Sequence, residues 1–227
     1  TTGSSNTVVG RSAMSTNTVG TCNVAIGQNA LLQNTEGNRN VAVGRFALDT
    51  NTTASNNTAV GYEALGANTT GAGNVAIGIC ALVAHTTGAT NVAIGCGALL
   101  SNTEANNNIA IGSGALKSNT TATSNTAVGH LSLCTNITGA NNTALGYNSL
   151  RDNTGGSNVA VGSETLRYNS TGAQNTAVGM SALNDNTSGD FNTIIGYNAG
   201  AKITTADDNT AVGAYALDAN TEGTQNV

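Results

Sequence analysis

The chain has 227 residues and a formal net charge of −5, with 8% charged and 3% aromatic residues and neither Pro nor Trp. A disordered chain of such modest hydropathy would carry a high net charge and many prolines, so the low complexity points to regular order. Seven scattered Lys and Arg exclude the clustered positive charge that nucleic acid or an anionic membrane requires, and no stretch approaches the roughly 20 apolar residues of a membrane helix.

In chain order the dominant feature is a pentad, Asn-(Thr/Val)-Ala-(Val/Ile)-Gly. It ends at Gly10, Gly27, Gly44, Gly61, Gly78, Gly95, Gly112, Gly129, Gly146, Gly162, Gly179, Gly196 and Gly213. Eleven of the twelve intervals are 17 residues and one, Gly146 to Gly162, is 16. The residues before each glycine are β-branched and alternate with Ala, as in Thr58-Ala59-Val60 and Val75-Ala76-Ile77. This period of two predicts one short strand per repeat. The Asn-Thr-Gly segments between pentads predict turns, and the missing residue of the short repeat falls within Asn153–Asn158, where a turn tolerates a deletion. About 17 residues at ~3.3 Å each is the perimeter of a narrow coil, so the expected fold is all-β: a parallel β-solenoid, or β-roll, of about thirteen coils stacked ~4.8 Å apart. Residues 1–227 are expected to form a single solenoid domain, an excerpt of a longer fibre chain that starts in a turn and stops in a strand.

Counting from each glycine converts the repeats into a burial map. Charged residues occur one, two, five, six, nine, eleven or twelve places after it, and never three, four, seven, eight or ten places after it or within the pentad. Leu occupies the fourth place in eleven of the thirteen repeats and is the expected core residue. Asn four before the glycine recurs in every repeat, at Asn6, Asn23, Asn40, Asn57, Asn74, Asn91, Asn108, Asn125, Asn142, Asn158, Asn175, Asn192 and Asn209. Stacked in register, these form an expected amide ladder. A second Asn row, seven after the glycine, is interrupted only by His85 and Ile203.

Ala stands two before the glycine in eleven repeats: Ala25, Ala42, Ala59, Ala76, Ala93, Ala110, Ala127, Ala144, Ala160, Ala177 and Ala211. If the flanking Val, Ile and Thr face the core, strand alternation turns this Ala stripe outward. There it is expected to pack against other copies of the chain, most simply in a parallel homotrimer.

Runs such as Asn57-Thr58-Ala59-Val60-Gly61-Tyr62-Glu63-Ala64-Leu65 resemble two groups. One is the head domain of trimeric autotransporter adhesins; the other, the closer match, is the repeat region of phage and large-virus tail-fibre proteins. The resemblance extends over essentially the whole chain. It implies a left-handed, three-chain β-roll, a structural or host-attachment role, and a place on a virion or cell surface.

Catalysis needs a constellation that the repeat does not already explain, and none stands out. His85 and His130 lie three rungs apart and cannot share a metal, Asp207-Asp208 reads as a solvated turn, and no cofactor motif is present. Of the cysteines Cys22, Cys80, Cys96 and Cys134, only Cys80 and Cys96 fall on adjacent rungs at neighbouring offsets, with Cα atoms expected about 6 Å apart, where a disulfide is geometrically possible. Unpaired thiols fit equally a virion part assembled in a reducing cytoplasm. Eight N-glycosylation sequons begin at Asn51, Asn56, Asn68, Asn119, Asn136, Asn141, Asn169 and Asn186, most of them by-products of the Asn-Thr repeat. The expected function is therefore a rigid fibre segment, not an enzyme. Its exposed Tyr62, Tyr147, Tyr197 and Tyr215 are candidates for contact with a host glycan or protein receptor. The alternative is an ice-binding solenoid, which the irregular Thr row before the glycines disfavours.

Overall fold

The computed structural model describes residues 2–227. Among them are thirteen three-residue strands: β1 (Thr7–Val9), β2 (Val24–Ile26), β3 (Val41–Val43), β4 (Thr58–Val60), β5 (Val75–Ile77), β6 (Val92–Ile94), β7 (Ile109–Ile111), β8 (Thr126–Val128), β9 (Thr143–Leu145), β10 (Val159–Val161), β11 (Thr176–Val178), β12 (Thr193–Ile195) and β13 (Thr210–Val212). They belong to two compact units, one running to Ser113 and one from Gly114. Within the first, β1 to β7 pair in sequence order, all parallel. Within the second, β8 to β13 do the same. Register joins equivalent pentad positions throughout, as Ala59↔Ala76 in the first unit and Ala160↔Ala177 in the second. The chain is an all-β parallel solenoid with a coil of 17 residues.

Each strand is short because both of its ends are bent. The residue before the pentad is left-handed, as Asn56 at φ 63°, and the closing glycine lies at a φ open only to Gly, as Gly61 at 136°. Two further left-handed residues follow, for example Glu63 at 55° and the core Leu65 at 51°. A left-handed Leu costs about 1–2 kcal/mol, which burial of its side chain offsets at about 1.5–3 kcal/mol. The rest of the coil is tied to its neighbours as firmly as the strand: Leu48 N–H donates to Ala64 O at 3.0 Å and Thr52 N–H to Thr69 O at 3.2 Å. The short repeat keeps the pairing Val159↔Thr143. Its deletion is absorbed in the turn, where Asn153 Nδ2 reaches the carbonyl of Gly155, two residues ahead, instead of one three ahead.

The interior differs from the expectation in one respect that matters for function. Ala25, Ala42, Ala59, Ala76, Ala93, Ala110, Ala127, Ala144, Ala160 and Ala177 are all fully buried, and Ala211 nearly so. The Ala stripe therefore faces the inside of the coil and is not an outward oligomer surface; the flanking Val, Ile and Thr face out. The physical reason is the thinness of the coil. Its interior already holds the core Leu, the Ala before it and two Asn rows, leaving room for a methyl group from the strand. One coil makes the point by exception. Ile194 replaces the strand Ala, Gly200 replaces the core Leu and Ile203 replaces the second-row Asn. A Cβ placed on Gly200 would lie 3.2 Å from Ile194 Cγ2 and 3.0 Å from Ile203 Cδ1, so the two larger side chains fill the space that Leu vacates.

Candidate functional site

Two kinds of feature could carry function: polar groups sealed inside the coils and the surfaces the coils present. Inside, the pentad asparagines are buried from Asn23 to Asn209, with Asn6 half-buried. Within each unit they link adjacent coils. Asn57 N–H donates to Asn40 Oδ1 at 3.0 Å, Asn57 Oδ1 accepts from Asn74 N–H at 2.8 Å, and Asn57 Nδ2 donates to Gly71 O at 2.8 Å. The second row runs beside it, with Asn51 Nδ2 donating to Asn34 Oδ1 at 2.8 Å and to Ala54 O at 3.1 Å. In the pentad row no buried side-chain nitrogen or oxygen lacks a partner, which leaves that row nothing to offer a ligand.

His85 breaks the second row. The ring is fully buried, with Nδ1 2.8 Å from Asn102 Oδ1 and Nε2 2.7 Å from Gly88 O. On either side of it Asn68 Oδ1 and Asn102 Nδ2 are buried without a partner. An asparagine at this place would donate to Asn68 and accept from Asn102. His85→Asn is therefore expected to stabilise the protein by about 1–3 kcal/mol, read as a rise of several degrees in thermal midpoint.

Three parts of the outer surface stand out. The first is the outward face of the strands, where Val, Ile, Leu and Thr stand at both flanks of the buried Ala with no charged residue. Ile26, Ile77, Ile111 and Ile195 are 37–39% exposed. The pattern of absent charge did not separate this face from the core, because ionised groups are missing from both. The joint exchange at Ile194, Gly200 and Ile203 was the available signal, since residues that trade volume share one interior.

The second part is a band of aromatic residues one and two places after the glycines. His130 stacks on Tyr147 at 5.9 Å, Tyr197 meets Tyr215 edge-on at 5.3 Å, and Phe46 meets Tyr62 edge-on at 6.3 Å. The four candidate tyrosines are all exposed. The third part is a notch of about 340 Å³ lined by Phe46, Asp49, Thr50, Glu63, Gly66, Ala67 and Val83, opened where Gly66 stands between the side chains of Asp49 and Val83 on the adjacent coils.

Burial pushes the Asp49 carboxyl above its ordinary value, and its Oδ1 is sealed from water without a partner. Such a raised value penalises the folded state once the group ionises, so this cost is absent in acid and grows as pH rises through the ordinary carboxylate range to the raised one. Asp49→Asn removes it. The thermal midpoint of the variant relative to the parent is expected to be higher at pH 7 than at pH 3.

All four cysteines are free thiols: Cys22 and Cys96 are exposed, Cys80 and Cys134 partly buried. The candidate pair Cys80 and Cys96 is unbridged, and burial pushes the Cys80 and Cys134 thiols up. No group of three or more His, Cys, Asp or Glu that could hold a metal occurs among the described residues. Asp207 caps a turn, its Oδ1 accepting from Asp190 N–H at 2.8 Å. Comparisons with protein-family models, with curated proteins and with solved structures found no match.

Proposed function

We propose that the chain is a segment of a structural or adhesive fibre on a virion or cell surface, and that it associates laterally with two further copies of itself. The observation that carries this reading is the outward strand face, with Val, Ile or Leu one before the glycine and Thr, Val or Ile three before it in every coil. Rows of half-exposed β-branched side chains, free of charge coil after coil, are what a second copy would cover. Hydrogen bonds along the whole perimeter of each coil supply the stiffness a spacer needs. Receptor contact would fall on the aromatic band.

Light scattering tests the association. The parent chain is expected at three times the monomer mass, and Ile77→Glu, on the outward face, is expected to lower that mass while leaving the β-sheet circular dichroism in place. A parent that is monomeric at high concentration would overturn the reading.

A second reading, an ice-binding solenoid, draws support from the same face. In the second unit five of the six strands begin with an outward Thr: Thr126, Thr143, Thr176, Thr193 and Thr210. A monomer that lowers the freezing point of water below its melting point would favour it over the fibre.

A further inference from the structure

The coil divides the eight sequons into two classes. Asn51, Asn68, Asn119, Asn136, Asn169 and Asn186 are second-row asparagines, each fully buried. The atom that accepts a sugar is Nδ2, and here that atom is already engaged. In Asn51 it donates to Asn34 Oδ1 and Ala54 O, in Asn68 to Asn51 Oδ1 and Gly71 O, and in Asn186 to Asn169 Oδ1 and Gly189 O.

Glycan transfer forms a bond from Nδ2 to the anomeric carbon of a lipid-linked oligosaccharide. It breaks the bond from that carbon to the carrier's diphosphate and releases one Nδ2 proton. In Asn51, Asn68, Asn169 and Asn186 one N–H would then remain where two are in use, and at all six a sugar chain would occupy a place that water does not reach. Asn56 and Asn141 differ. Both are exposed, at the left-handed corner before a strand, one in each unit. Asn56 engages only its oxygen, which accepts from Arg39 Nε at 2.8 Å.

We infer that this chain reaches its fold where no N-glycan transfer takes place, and that once folded only Asn56 and Asn141 can accept a sugar. A nascent chain meeting the transfer machinery would present all eight sequons in an open state, and modification at any second-row Asn would lock that coil open. The four unbridged thiols point independently to a reducing compartment.

The sequons can be removed without touching the interior, because their hydroxyl residues Thr53, Thr70, Thr121, Thr138, Thr171 and Ser188 are all exposed. The test sends two forms through the secretory pathway of a mammalian cell: the parent chain, and a variant with these six residues changed to Ala. Both are also made in bacterial cytoplasm, where equal melting curves establish that the six changes leave the fold intact.

The parent is expected to be retained in the cell with glycans on second-row asparagines, found by glycosidase shift and peptide mapping. The sixfold variant is expected to be secreted several-fold better, with glycan only at Asn56 and Asn141. Parent chain treated with an inhibitor of glycan transfer should follow the variant, an arm that also decides the matter if the six changes impair folding. Native parent protein secreted as well as the variant would overturn the inference, as would failure of both the variant and the inhibitor to raise secretion.

Discussion

Gly61→Ala is expected to cost more than 3 kcal/mol, unfolding the region around its coil and lowering the thermal midpoint by many degrees. Two effects combine. At φ 136° no side chain with a Cβ is at ease, and a Cβ there would lie 2.5 Å from the carbonyl oxygen of Gly78 and 2.7 Å from its carbon. Those atoms cannot withdraw cheaply, since the Gly78 N–H is held by Val60 O at 2.8 Å and the Gly95 N–H by Ile77 O at 2.8 Å. Gly213 separates the two effects. It has the same backbone, at φ 129°, but nothing within 4 Å of a Cβ. Gly213→Ala should therefore show the conformational cost alone, and the difference in unfolding free energy between the two variants isolates the stacking contact. Equal losses would mean that the glycine column is required for its backbone angle and not for close approach.

Much of this was legible in the sequence, for reasons that can be named. The 17-residue interval sets the perimeter of a coil, and the alternation in Thr58-Ala59-Val60 marks its strand. The missing residue between Gly146 and Gly162 marks its turn, where the structure absorbs it. The Asn rows were visible because a stacked amide must recur at every rung to be satisfied.

Two things were hidden. Leu is a poor left-handed residue, yet Leu31, Leu48 and Leu65 all adopt φ near 50°. Local preference has no access to that, because the hydrogen bonds and burial that hold the angle come from the adjacent coils. The direction of the strand was hidden for another reason. Ions avoid both a dry interior and a face that packs against a second surface, so their absence cannot tell Ala59 from Val60. Size can: the small member of the alternation goes where the space is narrow.

That assignment gives the sharpest paired experiment on the molecule. Ala76 is completely buried and the adjacent Ile77 is 38% exposed on the other side of the same strand. Ala76→Glu would place a carboxylate in a space sized for a methyl group, away from water and without a cation. An unpaired buried charge costs about 3–5 kcal/mol even after relaxation, and a domain holds only about 5–15 kcal/mol in total. The variant should lose its cooperative melt or fold only in acid, where the carboxyl is neutral. Ile77→Glu should keep the melt, because its carboxylate stands in solvent once the chain is alone, and should change only the mass seen in solution. Both outcomes are read from circular dichroism and light scattering on the same samples. If Ala76→Glu folds like the parent while Ile77→Glu does not, the strand is turned the other way, and the outward rows on which the proposed association rests belong to the core.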